Sequence, residues 1–521
     1  MPLGNVTITV VDGGSASLVV PGSNTQLCLG CCSGGVVNQI ISSRVPSTFQ
    51  SALGFGPLVE YTGLAAANGA TILAMKIPGS TAGAAGTVTH TGAGTSVVTV
   101  TGAAYDTYYV KVVFLTGGTI GVAGITFQVS LDAGRSILNG SSPILSLGTA
   151  NTYLIPGTNV TLNFAAGTIL AGQIESFSTT EPYWNTAGVQ AALNAFQASP
   201  YALGGVGSIH IVGSPGFATA TATSAATIQG YMNTLANGYV FERAWMTARD
   251  ASPPSLYSGT GETEATWMTS IGNDYQSTTA VRMNAGAGYY NFPTVFPNPS
   301  AWGAPRYRRP FLWAAMVRQT KVSPKRHLGR VKDGPLSPLI VVDAVNDPTD
   351  GFVYHDERVT PGLDYLVAGT GTNRFLTAMS RRAGVFVSNP LSLAPIGSDY
   401  YESQFGLVMD IFASQFHATA ETEIDDDIRL NSNGTIDDRD ARAIESVLAS
   451  QCNAALSGLI SVPISTGPAA LAAGTSAISV NRDTNLRPAG TQLPISGQIV
   501  GLGYIQAINA TLSFQDPGTA A

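Results

Sequence analysis

Between residues 79 and 177 the chain all but abandons charged side chains. Short alternating apolar runs at 96–101, 108–115, 126–131 and 159–164 recur there between turn residues. Period-two alternation gives each run one face for a core and one for solvent, so the stretch reads as an all-β module. Its flanks follow another rhythm. Helical segments at 47–53 and 59–68 lead into an apolar strand at 71–77. Beyond residue 181, helical windows at 185–197, 225–235 and 262–276 alternate with apolar runs at 208–212, 242–248 and 279–283. A helix at 310–321 and an apolar run at 339–342 follow. That alternation belongs to α/β layers, so the β-rich stretch reads as an insertion into an α/β (α+β) frame. At 521 residues the chain is too long for one core, and two to four domains are expected.

The C-terminal third adds long helices. One spans 400–423; a turn at 431–437 then opens a second at 438–456. The second helix carries Ile444, Val447, Leu448, Cys452 and Ala455 at helical spacing, a stripe fit for burial. Asp437, Asp438 and Asp440 stand where carboxylates favour a helix N-terminus. Isolated strands lie near both chain ends. Val6, Ile8 and Val10 alternate within 6–11, and Ile508, Ala510, Leu512 and Phe514 share one face of 508–514. A lone strand is unstable in water, so each must pair either within its own subunit or with a neighbour.

Charged residues make up only 11% of the chain, against roughly 25% in soluble domains. So weakly charged a surface suggests that other protein covers much of it, although a neutral Thr/Ser/Gly exterior is the simpler reading. Of the 25 basic residues, 20 are Arg and five are Lys, the bias of interfaces. A net charge of −7 argues against nucleic acid as a partner. No apolar run reaches 18 residues, so no membrane insertion is expected. No basic residue precedes Arg44, so no signal peptide is expected and the product should remain in the cytoplasm where it is made. Cys28, Cys31 and Cys32 cluster, and read as structural thiols; a metal site and a late disulfide stay open.

The expectation for chemistry is negative: no enzyme and no cofactor. Histidines at 90, 210, 327, 355 and 417 lack zincin spacing, no Gly-Lys pair permits a Walker loop, and no nucleophile elbow occurs. The 431–440 segment resembles a calcium loop in spacing, but Arg429 would occupy its first ligand position, so a tight turn is the better account. Two charge concentrations remain. Arg306, Arg308, Arg309, Lys325, Arg326 and Arg330 lie in one, and Asp425, Asp426 and Asp427 in the other. Complementary faces between subunits, solvated surfaces and a nucleic-acid contact are the three readings.

The C-terminal pattern resembles the tail sheath proteins of contractile bacteriophages, relatives of R-type bacteriocin and type VI secretion sheaths. The resemblance rests on the long helix, on Asn431-Ser-Asn-Gly-Thr-Ile-Asp-Asp-Arg-Asp-Ala441 opening the next, on Asn453-Ala-Ala-Leu-Ser-Gly458, and on the strands at 477–480 and 504–514. It covers roughly residues 180–514. It implies an arm at 1–20, a sheath core at 21–78 and 179–400, and an outer β-rich domain at 79–178. A C-terminal sheath domain would then occupy 401–496 and a second arm 497–521. It also implies a homo-oligomer of stacked rings or a helix around a tail tube protein, with baseplate and tail terminator partners, in the tail of a virion. The terminal strands become intersubunit strands, and the charge segments become contacts that break and reform on contraction. Another virion subunit (baseplate, capsid or adhesin) and a hydrolytic α/β enzyme with a β-sandwich module are the alternatives.

Overall fold

The computed structural model describes residues 25–138, 144–214, 221–252, 261–275, 278–296, 306–336, 352–364, 373–395, 397–424, 426–468, 471–488 and 491–503. The strands expected at 6–11 and 508–514, the apolar run 339–342 and Asp425 lie outside the described residues. The chain divides into two compact units, Met1–Thr422 and Glu423–Ala521. Helix Ser403–Ala420 therefore belongs with the first unit, not with helix Asp438–Ala455 as the expected boundary at 401 had it.

A seven-stranded sheet organises the first unit, in the order Ile40–Ser43, Thr71–Lys76, Thr25–Gly30, Ser208–Ile211, Ala244–Thr247, Met283–Gly286, Phe375–Leu376. All neighbours are parallel except Ile40–Ser43. The inner strands are buried along their length, as a sheet covered on both faces requires. Period two sorts their side chains. Leu27, Leu29, Ile209 and Ile211 meet Leu193, Phe196, Ile228, Met232 and Trp267 of helices Thr186–Gln197, Thr221–Asn237 and Glu264–Tyr275. On the other face Cys28, Ile72 and Ala74 meet Phe49, Leu58, Tyr61, Trp313 and Met316 of helices Pro46–Leu53, Pro57–Ala67 and Leu312–Gln319.

Between Lys76 and Thr186 every regular element of the described residues is a strand. Tyr109–Thr116 pairs antiparallel with Thr126–Ser130 and with Ile174–Thr180. Val98–Thr101, Val160–Phe164 and Thr152–Ile155 form a second sheet. Val110, Val112, Phe114, Phe127, Leu162 and Phe164 share a core of their own between them. Entry and exit run side by side, because Tyr183–Trp184 pairs with Gly79–Thr81.

The second unit is a helix on a small sheet. Helix Asp438–Ala455 buries Ala441, Ile444, Leu448, Ala449 and Cys452, whereas Val447 of the expected stripe is 40% exposed. Glu445 is buried in that stripe instead, because Arg482 pairs with both of its oxygens at 2.7 and 3.0 Å and Val480 N–H donates to it at 2.8 Å. The sheet runs Ser465–Thr466, Ala477–Val480, Ile495–Gln498, parallel and then antiparallel.

Candidate assembly surfaces

In open α/β sheets, small ligands bind beyond the carboxyl ends of the strands, where the strand order reverses. Here that point lies between Thr25–Gly30 and Ser208–Ile211. The chain fills its described part with its own side chains. Glu181 accepts from Ser214 N–H at 2.7 Å, and Trp184 Nε1 donates to Gly213 O at 3.0 Å. Gly213 has φ +87, and a Cβ there would lie 3.3 Å from the Glu181 carboxylate. Burial lifts the Glu181 carboxyl to about 7, beside a Cys31 thiol that burial pushes up to about 12. Cys28, Cys31, Cys32 and Cys452 are free and buried, and no group of His, Cys, Asp and Glu among the described residues could hold a metal ion.

The basic segment expected at a subunit surface separates into two parts. Strand Arg306–Pro310 pairs with Tyr289–Pro293 and turns Arg308 and Arg309 inward on opposite faces. Arg308 grips Asp250 with two bonds of 2.8 Å and packs against Phe352 and Tyr354, 5.0 and 5.1 Å from the ring centres. Arg309 reaches the fully buried Asp106 at 2.8 Å and donates to Thr107 O at 3.1 Å. Arg306 N–H donates to Asp132 at 3.2 Å, and Tyr307 packs edge-on against Tyr108. This strand thus ties the β-rich stretch to the rest of its unit. The expectation that Arg308 and Arg309 face another subunit is corrected, because both charges are spent inside the fold, where a guanidinium needs a carboxylate partner to be tolerated. The rest of the segment stays at the surface. Arg326 and Arg330 share Asp333 at 3.2 and 3.1 Å with 39% of each side chain exposed, and Lys325 is half-buried. Asp426 and Asp427 are exposed.

The 431–437 turn consumes the oxygens a cation would need. Asn433 Oδ1 accepts from the N–H and hydroxyl of Thr435, and Arg429 takes the Asp440 carboxylate. Gly434 turns the chain at φ +86, and Asp437 caps the helix by accepting from Arg439 N–H at 2.9 Å.

The two edges of the small sheet differ. Ser465 and Gly467 donate their N–H groups to Ser476 O and Ile478 O, so Ile464 and Thr466 turn their main chain outward. The side-chain amide of Asn453 occupies Ile464 in both directions: Ile464 N–H donates to Oδ1 at 2.8 Å, and Nδ2 donates to Ile464 O at 2.9 Å. On the other side, Asn481 N–H donates to Pro494 O, which fixes the alternation along the antiparallel pair. Ser496 and Gln498 face the middle strand; Ile495 and Gly497 turn their N–H and C=O groups away from it. No described residue pairs with that outer side. Neither Asn453 as an edge partner nor the strand Ile495–Gln498 is among the elements expected from the sequence, which has a terminal arm begin at 497.

No family model and no curated protein matches the chain. Among solved structures, it is similar to the sheath tail protein of Desulfitobacterium hafniense, with a TM-score of 0.43 and 11% identity over 95% of this chain and 100% of that one. The Listeria innocua sheath tail protein gives 0.38 and 10% over 94% and 98%. The helical sheath of the anti-feeding prophage in its contracted state gives 0.45 and 9% over 98% and 99%.

Proposed function

We propose that this chain is the structural subunit of a contractile tail sheath, which polymerises around a tail tube and shortens to drive the tube through a host envelope. The observation that carries this reading is the second unit's small sheet, whose last strand leaves its outer main-chain groups unpaired among the described residues. An unpaired edge is a template for a strand from another chain, and the period-two alternation at 6–11 and 508–514 is the sequence pattern of a strand in need of an edge. Glu181 and Trp184 occupy the described part of the crevice at the strand ends of the first unit, which favours a structural over an enzymatic role. In this reading the β-rich stretch projects outward, the terminal arms tether subunits while they slide, and Lys325, Arg326, Arg330, Asp426 and Asp427 lie at contacts that change on contraction. Tube, baseplate and tail terminator proteins are its partners in a phage-type particle.

Electron microscopy of the purified full-length chain, beside a chain lacking 1–24 and 504–521, tests the proposal. Rings or hollow tubes from the full-length chain alone are expected. A monodisperse monomer, unchanged by the deletions, would overturn it.

A further inference from the structure

His355 is fully buried in the first unit with a carboxylate at each ring nitrogen. Nδ1 lies 2.9 Å from Glu264 Oε1, and Nε2 lies 2.8 Å from Glu357 Oε2. A neutral imidazole has one donor and one acceptor, and an ionised carboxylate only accepts. Both bonds therefore exist together only while both nitrogens carry a proton and the ring is a cation.

The neighbouring groups offer no substitute for that charge. Glu264 opens helix Glu264–Tyr275, and its second oxygen accepts from the Thr360 hydroxyl at 3.1 Å. Glu357 also accepts from Gly362 N–H and Asp364 N–H, at 2.7 and 2.9 Å. Just before the helix, Glu262 is taken up by Arg249 at 2.8 Å, and within it Trp267 sets its ring edge-on to His355. Asp356 accepts from Arg358 N–H and Ser380 N–H, while the Arg358 guanidinium donates to Ser380 O. Strand Tyr289–Pro293 brings Tyr290, whose hydroxyl is pushed up by burial and then by Asp356, Glu264 and Glu357. Strand Arg306–Pro310 brings Arg308, which is committed to Asp250. Asp364 adds a further buried carboxyl, and Thr377 is neutral. Carboxyls thus outnumber guanidiniums among the described neighbours, so a proton on His355 offsets the excess.

The position of the ring in the chain gives that proton leverage. Phe352 and Tyr354, just before it, lie over the Arg308 guanidinium at 5.0 and 5.1 Å, and Val353 O accepts from Arg308 at 2.7 Å. Phe352 also packs edge-on against Tyr109 of the β-rich stretch, with 4.4 Å between ring centres. One segment therefore grips helix Glu264–Tyr275 through His355 and the base of the β-rich stretch through Phe352.

We propose that segment 352–364 is a strap fastened by one proton. While His355 is a cation, the strap is bonded to Glu264 and Glu357 and keeps Phe352 and Tyr354 against Arg308 and Tyr109. When that proton leaves, one carboxylate loses its donor inside the fold, the strap opens, and the seat of the β-rich stretch loosens. This inference is independent of the sheath reading and requires no polymer.

Amide exchange of the full-length chain tests it, read on peptides from 352–364 and 108–116 between about pH 6 and pH 9 and corrected for intrinsic exchange. Burial lowers the His355 pKa, but the bonds to Glu264 and Glu357 raise it overall above the usual 6.5. Protection of the strap is therefore complete below that value and is lost as pH rises above it. It should fall about tenfold per pH unit and then level off once the ring is neutral in both forms. In Glu264→Gln the levelling should come about one pH unit sooner, because one of the two carboxylates is gone. In His355→Gln protection should be low and independent of pH; should that variant fail to fold, Glu264→Gln decides alone. In Glu60→Gln the fall should persist, since the carboxyls around Arg309 do not fasten the strap. A flat wild-type profile, or one that Glu264→Gln leaves unmoved, would overturn the proposal. Loss of the fall in Glu60→Gln would assign the proton to the Arg309 cluster and overturn it as well. Opening of 352–364 without any change at 108–116 would overturn the link to the β-rich stretch.

Discussion

Glu60 shows how this chain spends its few charges. It lies on helix Pro57–Ala67, where it accepts from the Thr294 hydroxyl at 2.8 Å in the neighbourhood of Arg309 and Asp106. Burial outweighs the help from Arg309 and lifts its carboxyl to about 7. A carboxyl whose pKa is raised by folding binds its proton more tightly in the folded state. Its contribution is therefore fully present below the unfolded value near 4.5 and is lost as pH rises through about 7. Glu60→Gln keeps the shape and the Thr294 bond but removes the titration. Its stability relative to wild type should accordingly rise between about pH 4.5 and pH 7, by on the order of 2 kcal/mol once partial solvent contact is discounted. Urea midpoints of both proteins across that range check this, and a flat difference would refute it. Glu181 erodes in the same direction, and so does His355, which burial lowers but which bonds to Glu264 and Glu357 at 2.9 and 2.8 Å raise overall.

At the scale of elements, much was legible because local signals and tertiary packing agreed. Helices Pro46–Leu53, Thr186–Gln197 and Asp438–Ala455 lie within two residues of their expected limits, since a proline or a capping Asn or Asp marks each start. Strand Thr25–Gly30 was not legible, although it is central to the sheet. Five of its six residues are buried, so it has no alternation to read, and its glycine and cysteine neighbours resemble a loop. The hairpin containing Arg306–Pro310 was hidden for a different reason. Its arginines read as surface charge, and their partners Asp250 and Asp106 lie 58 and 203 positions away. The Asn431–Asp437 turn, by contrast, was read correctly from Gly434 and the absent first ligand. Gly434 has φ +86, and a Cβ there would fall 2.1 Å from Asn485 Oδ1. Gly434→Ala should therefore cost at least the 1–2 kcal/mol of a left-handed L-residue, roughly, plus displacement of Asn485. A denaturant midpoint for the second unit that does not move would show the turn to be more pliant than this geometry allows.

The whole molecule is two units, and they rely on buried charge in different ways. The first carries the Arg309–Asp106 pair, whose side chains are 4% and 0% exposed, along with Arg308–Asp250 and the Arg243–Asp410–Arg282 cluster. The second carries Arg482–Glu445, with only the glutamate fully enclosed, since Arg482 keeps 19% of its side chain exposed. Breaking one side of an enclosed pair strands the other charge at a cost of about 3–5 kcal/mol, whereas removing both leaves less to compensate. Arg309→Ala should thus strongly destabilise the first unit, and Arg309→Ala with Asp106→Ala should cost less than Arg309→Ala alone. Because contacts cluster within Met1–Thr422 and within Glu423–Ala521, the loss should fall on one unit. Calorimetry of a chain lacking 1–24 and 504–521 should then show two transitions, with Arg309→Ala lowering only the larger and Gly434→Ala only the smaller. A single transition that both substitutions lower equally would mean that the two units fold as one cooperative body.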